Sequence, residues 1–492
     1  MKIEQIYTGC LAQGAYYIES NGEAVIIDPL REVQPYIDKA KRNGAVIKYV
    51  FETHFHADFV SGHIDLAKET GATIVYGPGA APGFRAFVAK DQEEIKLGAI
   101  SFTVLHTPGH TMESSCFLLK DKNGKDTALF TGDTLFIGDV GRPDLAQKII
   151  PGLTQEKLAG YLFDSLRNKI MPLANDIIIY PAHGAGSACG KNMSTDTSDT
   201  LGHQKSSNYA LRSNMNKEEF VKEVLSGLVA PPAYFPSNVL MNVQGYESIS
   251  DVIRKGTQAL DPAAFEATAN ETGALIIDTR NAETFAKGHI PNSINIGIDG
   301  NFAPWVGALI ADIKQPLLLV TADGRQEEVV TRLARVGYDH AIGYLKGGFE
   351  AWAANKRQTD QVHSVTANEL ANILTIDPAT RITDVRKKTE FDAEHIENAE
   401  NVPLDFINDN MQQLNKDITT YVHCAGGYRS MIFISILKAR GFNKLVNIQG
   451  GLKSIKETNL FTLTECIGSS CCTQENGRSL TENSPVDFEE IK

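Results

Sequence analysis

No stretch of this 492-residue chain approaches the run of apolar residues needed to span a bilayer, so no transmembrane helix and no membrane partner are expected. Its first residues, Met-Lys-Ile-Glu-Gln-Ile-Tyr, have no long apolar region behind the lysine, and a secretory leader is not expected either. Positive charge is in deficit: 47 Lys and Arg against 60 Asp and Glu leave a formal charge of -13, which argues against a general electrostatic footprint for nucleic acid. Cysteine is scarce: seven, an odd number at scattered spacings, suit a reducing compartment better than a disulfide framework, and a cytoplasmic location is expected. What is present in ordinary amounts, 42% hydrophobic and 22% charged residues, fits globular folding, and the length predicts about three domains.

The informative stretch is Thr53-His54-Phe55-His56-Ala57-Asp58-Phe59, which follows the apolar run Ile47-Lys-Tyr-Val-Phe51. Three imidazole or carboxylate groups at the end of a buried strand would each need a buried partner, and a shared cation is the simpler account. The same form, an apolar strand emptying into a polar loop, recurs at Phe102-Thr-Val-Leu-His-Thr-Pro-Gly-His110, at Ala128-Leu-Phe-Thr-Gly-Asp133 and at Ile177-Ile-Ile-Tyr-Pro-Ala-His183. A single histidine at a strand end is ordinarily structural; four such ends in order predict a metal site.

These residues resemble the metallo-β-lactamase superfamily over about the first 230 positions, which implies an αββα sandwich. The chain departs from that pattern at Phe59, where the superfamily usually places a histidine that helps hold a second metal. A phenyl ring cannot coordinate, so one metal per chain is expected. Gly141-Arg142-Pro143-Asp144 extends the resemblance to the persulfide dioxygenase group. That resemblance implies Fe(II) held by His54, His110 and Asp133, a facial triad leaving cis positions open for substrate sulfur and dioxygen. His56, Asp58 and His183 then orient ligands and bound water, and Arg142 is a candidate to hold the anionic end of the substrate. The alternative is a zinc hydrolase of the glyoxalase II kind, with His54, His56 and His110 on the metal.

Further along, Gly184-Ala-Gly-Ser-Ala-Cys-Gly190 can approach a metal pocket closely, and Cys189 in it is a candidate to carry or receive sulfur; the bland alternative is an inert buried thiol. Residues 191–209, rich in Ser, Thr, Asp and Asn, read as an exposed loop over the pocket. Helices are expected over 33–43 and 217–228. Residues 236–260 read as a linker or docking arm.

An internal repeat follows. Ile277-Asp-Thr-Arg280, Phe285, His289-Ile290 and Asn295 return 106 positions later as Thr383-Asp-Val-Arg386, Phe391, His395-Ile396 and Asn401, and Gly347-Gly348 answers Gly450-Gly451. Both copies of this α/β unit resemble rhodanese domains, which move sulfane sulfur. In the second, strand Thr419–His423 opens into Cys424-Ala-Gly-Gly-Tyr-Arg429-Ser430 and a helix to about Arg440. The loop amides, the helix N-terminus and Arg429 all favour an anion at Cys424, the expected sulfur-carrying nucleophile. The Cys-x4-Arg spacing matches the sulfur-transfer family rather than the related phosphatases, whose loop is one residue longer. In the first copy, alignment on Leu317-Leu-Leu-Val320 puts Ala322 in the place of Cys424 and Glu327 in the place of Arg429, so no persulfide forms there. The tail holds Cys466, Cys471 and Cys472, readable as a sulfur relay or as an unstructured end.

The expected architecture is therefore a metal-dependent domain at 1–235, the linker at 236–260, an inactive rhodanese-like domain at 261–357, an active one at 364–458 and a cysteine-containing tail at 459–492. The expected function is oxidation of a small-thiol persulfide with O2 to sulfite and thiol, coupled to sulfur transfer that makes or consumes thiosulfate. The expected partners are a glutathione, coenzyme A or similar persulfide, O2, sulfite or thiosulfate, and further copies of this chain in a homo-oligomer.

Overall fold

The computed structural model describes residues 1–145 and 152–465; Cys466, Cys471 and Cys472 lie outside the described residues. The chain divides into two compact units, residues 1–249 with the short stretch 334–337, and the remainder.

The first unit is built on two six-stranded sheets. One runs in chain order through Lys2–Thr8, Gln13–Ser20, Glu23–Ile27, Val46–Phe51, Thr73–Tyr76 and Phe87–Val88. The other orders Glu94–Leu97, Ile100–His106, Ser115–Lys120, Asp126–Gly132, Ile178–Pro181 and Asp199–Thr200. Facing side chains from both, among them Val25, Ile27, Phe51, Phe102, Phe117 and Phe130, make the inner core, with Phe51 stacked on Phe117 at 4.5 Å between ring centroids. The outward set Ala24, Ile26 and Val50 is buried too, under helices Gln34–Asn43 and His63–Thr70. Helices Gln155–Ser165 and Lys217–Leu225 cover the second sheet through Leu162 and Phe220. Burial on both faces explains why the strands read as unbroken apolar runs. The expected αββα sandwich is thus present, and its polar loops leave from strand ends.

Two sequence expectations need correction here. The expected exposed loop at 191–209 contains structure: Asp199–Thr200 pairs antiparallel with Ile178 and Ile179, and helix Leu201–Ser207 follows with the Thr200 hydroxyl capping the His203 amide at 3.2 Å. Leu201 and Gln204 are buried, and that burial outweighs a polar composition. The expected linker or docking arm at 236–260 also contains regular structure. Phe235–Gln244 and Ile249–Gly256 are helices, the first entered through Pro236 in its first turn, and Ala259–Leu260 is a strand.

The second unit holds two five-stranded parallel sheets with one topology. The first orders Ala259–Leu260, Ala341–Leu345, Leu317–Val320, Leu275–Asp278 and Ile294–Asn295; the second orders Ser364–Val365, Leu445–Ile448, Thr420–His423, Arg381–Asp384 and Glu400–Asn401. The repeated residues are scaffold. Asp278 and Asp384 each bind the arginine two residues on, Asn295 and Asn401 each give their amide to two carbonyls of that turn, and the Phe285–His289 and Phe391–His395 rings stack at 3.9 and 3.8 Å.

Strand pairing also corrects the alignment of the copies. Asp278 pairs with Val320 as Asp384 pairs with His423, so Thr321 stands where Cys424 does, and Gln326 stands where Arg429 does. The four uniform apolar residues Leu317–Val320 fix no register by themselves, which is why the sequence alignment slipped by one.

Candidate metal centre and sulfur-transfer site

Three strand ends place His54, His110 and Asp133 together, each about 1% exposed, with one ligand atom from each lying within 4.8 Å of the others. His110 Nε2 is 3.3 Å and His54 Nε2 3.9 Å from Asp133 Oδ2. The hydrogen bonds behind the rings decide the tautomers. His110 Nδ1 lies 2.9 Å from the Arg142 carbonyl, which can only accept, so Nδ1 carries the proton and Nε2 keeps its lone pair. The Thr53 hydroxyl donates to Asp28 Oδ2 at 2.8 Å and is therefore an acceptor for His54 Nδ1 at 3.0 Å, with the same result. Burial holds the His54 imidazole well below its ordinary pKa, hence neutral.

Among the described residues, both Nε2 atoms and both Asp133 oxygens lack a hydrogen-bond partner. A buried, unpaired carboxylate facing two imidazole lone pairs costs several kcal/mol unless a cation joins them, so this donor set fits a metal ion. The glycine of the Gly141-Arg142-Pro143-Asp144 motif has a local reason: a Cβ at Gly141 would lie 2.0 Å from the Asp133 carbonyl and 2.9 Å from His110 Nδ1.

His56, Asp58 and His183 form an adjoining buried group, with His183 Nε2 3.4 Å from Asp58 and 3.6 Å from Asp133. His56 Nε2 lies 3.1 Å from Asp28 and 3.6 Å from Glu52. Burial opposes charge on His56, but the Asp28, Glu52 and Asp58 carboxylates together outweigh it and the pKa is pushed up to about 9. Phe59 is fully buried, its ring 4.3 Å from that of His56. Cys189 also reaches this centre, grouped with Asp133 and His183, and burial with the nearby carboxylates holds its thiol protonated. Arg142 is 3% exposed and turned away from a ligand role: Nε and Nη2 bind Asp144 at 2.6 and 2.8 Å, Nη1 reaches the Ala188 carbonyl at 3.2 Å, and Nη2 also reaches that of Val229. It holds the Cys189 loop in place.

Four residues lie outside the sequence-predicted site. Asp28 ends the strand Glu23–Ile27 and bonds both the amide and the hydroxyl of Thr53 at 2.8 Å; the rule that found the other strand ends also applies to it. Asn242, on helix Phe235–Gln244, donates to the carbonyls of His56 at 2.8 Å and Phe59 at 2.9 Å and accepts from the Ser61 amide at 2.9 Å. Tyr234 and Tyr246 add hydroxyl bonds to the Asp58 and Ser61 carbonyls. No local pattern marks these positions.

In the second rhodanese-like copy the Gly427 amide donates to Cys424 Sγ at 3.1 Å, and helix Tyr428–Ala439 begins at the next residue, so a backbone donor and a helix N-terminus both face the sulfur. Arg429 gives its two terminal nitrogens to Glu390 at 2.6 and 2.8 Å; it braces the loop against helix Lys388–Ala393. The first copy has Thr321, Gln326 and Thr284 at the three equivalent places, so it has neither thiol nor brace.

Residues 8–183 match the metallo-beta-lactamase superfamily, and residues 261–355 and 366–458 match the rhodanese-like domain. A crystal structure of a metallo-beta-lactamase from Staphylococcus aureus subsp. aureus COL is 33% identical with a TM-score of 0.61, covering 70% of this chain and 99% of that one. ETHE1 from Myxococcus xanthus is 25% identical with a TM-score of 0.42, over 50% of this chain and 99% of that one. A probable hydroxyacylglutathione hydrolase from Schizosaccharomyces pombe is 32% identical over 34% of this chain and 60% of that protein, so this chain spans about three fifths of that curated relative. The chain belongs to the metallo-beta-lactamase superfamily, and its remainder carries two rhodanese-like domains. Among the described residues no helix is long and apolar enough to cross a membrane.

Proposed function

We propose that this chain is a persulfide dioxygenase joined to a sulfurtransferase. The observation carrying the reading is the presence on one chain of a buried set of two histidines and one aspartate, with unpaired inward atoms, and of a cysteine seated under a glycine amide and a helix N-terminus. His54, His110 and Asp133 would hold ferrous iron, which would supply the redox chemistry between a persulfide and O2. Thr53 and the Arg142 carbonyl hold the two imidazoles with Nε2 inward, and Asp133 supplies the negative charge. The net reaction takes RSSH, O2 and water to RSH and sulfite, the sulfane sulfur losing the four electrons that dioxygen gains. At the second site the Cys424 thiolate attacks the outer sulfur of thiosulfate, sulfite leaves, and Cys424 becomes a persulfide; the reverse consumes sulfite. Glutathione or coenzyme A persulfide, sulfite and thiosulfate are the proposed small-molecule partners.

The test is metal content together with O2 uptake on glutathione persulfide. Iron near one per chain with O2 consumption is expected; stoichiometric zinc with no O2 uptake would overturn the reading.

A second reading is supported by the curated relatives, which are named hydroxyacylglutathione hydrolases. There His54, His56 and His110 would hold zinc and activate water against a glutathione thioester. The approach of His56 Nε2 to Asp28 weighs against it. Thioester hydrolysis by zinc-loaded protein, without O2 uptake, would favour it.

A further inference from the structure

Within the second unit a cavity of about 880 Å³ lies where the two rhodanese-like copies meet. Its lining includes the active copy's loop at Gly426, Gly427 and Tyr428, residues of the silent copy's helix Ala282–Lys287, and His363. Cys424 is itself buried behind the wall, and two short links join the wall to it. Gly427, in its wall, is the donor to Cys424 Sγ, and Asn447, also in the wall, accepts from Ser430 Oγ, which lies 3.8 Å from the same sulfur. A Cβ built at Gly426 would meet none of the described residues within 4 Å, so the loop borders open space there.

The silent copy also fixes the active loop. The Tyr428 hydroxyl donates to the Gly297 carbonyl at 2.8 Å, and the ring lies so close to Gly300 that a Cβ there would come within 2.4 Å of it. Tyr428 directly precedes Arg429, so the brace to Glu390 on one side and the silent copy on the other hold the loop between them.

We propose that this cavity binds the carrier thiol that takes sulfur from Cys424, and that Lys287 and Glu283 of the silent copy select a peptide-like thiol bearing both carboxylate and ammonium groups. The inference rests on the sulfurtransferase reading of Cys424. Lys287 and Glu283 are exposed on the cavity wall and, among the described residues, neither has a hydrogen-bond or ion-pair partner, whereas the lining Asp299 is already neutralised by Arg325 at 2.7 Å. One unpaired cation and one unpaired anion suit a zwitterionic carrier. A polyphosphate carrier such as coenzyme A would meet one lysine and no arginine among the described residues of this wall. In the step itself the carrier thiolate attacks the outer sulfur of the Cys424 persulfide. A new S–S bond forms on the carrier, the old one breaks, and the Cys424 thiolate leaves with its electron pair, so no outside oxidant or reductant is needed.

The experiment is a single-turnover discharge by the full chain. Cys424 is loaded with thiosulfate, the donor removed, loading confirmed by intact-mass spectrometry, and persulfide loss followed against thiol concentration. Lys287→Glu, an exposed substitution, should raise the half-saturating glutathione concentration at least about tenfold, as loss of a charge-assisted contact implies, and should move that for uncharged 2-mercaptoethanol far less. A glutathione shift no larger than the 2-mercaptoethanol shift would overturn the inference, as would more efficient discharge by coenzyme A than by glutathione. Failure of the wild-type protein to load sulfur would instead strike the sulfurtransferase reading itself.

Discussion

Thr321 occupies in the first rhodanese-like copy the position that Cys424 occupies in the second, and Gly324 and Gly427 adopt the same left-handed turn beyond them, at φ of 76° and 98°. The silent copy has therefore kept the loop and lost the chemistry. Thr321→Cys, made together with Cys424→Ser, should restore less than about a hundredth of the sulfurtransfer rate. Asp323 puts a carboxylate in the loop next to the new sulfur, and Gln326 with Thr284 cannot form the brace. Thiosulfate-to-cyanide transfer checks this.

Cys424→Ser alone should abolish persulfide loading and transfer to sulfite or cyanide while leaving O2 uptake on glutathione persulfide intact. Loss of both activities would contradict two separable sites. An oxygen electrode and intact-mass spectrometry read the two arms.

Asp133→Ala or His110→Ala should empty the metal site, because each removes a ligand and leaves the other donors without a shared cation. His183→Ala should keep at least about half of the metal if one ion suffices, since His183 belongs to the adjoining group. Elemental analysis of the purified variants decides between one ion and two.

Asn242→Ala should remove three buried hydrogen bonds from the metal loop, at a cost on the order of 3 kcal/mol, and weaken metal retention about tenfold. Denaturant unfolding and competition with a chelator measure the two effects.

The Arg429 brace gives the active loop a pH dependence of known sign. Hydrogen bonding to Arg429 lowers the Glu390 pKa below its ordinary value near 4.5, although partial burial opposes this. A carboxyl whose folded pKa is depressed contributes stability that is fully present above the unfolded pKa and is lost as pH falls through the folded one. Protection of the amides over 424–430, referred to the intrinsic exchange rate at each pH, should therefore hold down to about pH 4.5 and fall below it. Glu390→Gln should show the low protection already at neutral pH.

Much of the metal centre was legible because each ligand follows an apolar strand, so that hydrophobic runs and polar punctuation marked His54, His110, Asp133 and His183 together. The repeat was legible for a different reason: Asp278, Asn295 and His289 hold a turn that needs those side chains, and their copies recur at fixed spacing. What escaped was nonlocal. Asn242 acts on backbone carbonyls far from it in sequence, and nothing in Asn238-Val-Leu-Met-Asn242 distinguishes it from any polar helix position. Arg142 looked like a substrate anchor because an arginine beside a metal motif suggests one; only the approach of Asp144 and two carbonyls shows it as a strut. The slip between Ala322 and Thr321 had a third cause, a strand too uniform to set its own register.

The clamp that Asn242 places on the His56 and Phe59 carbonyls lies well past residue 183, where the superfamily match ends. Dissecting the first unit at that limit would yield a fragment holding every candidate ligand yet missing the buttress that keeps two of its loop carbonyls aligned. The boundary of heritable likeness and the boundary of mechanical self-sufficiency differ here by at least one helix.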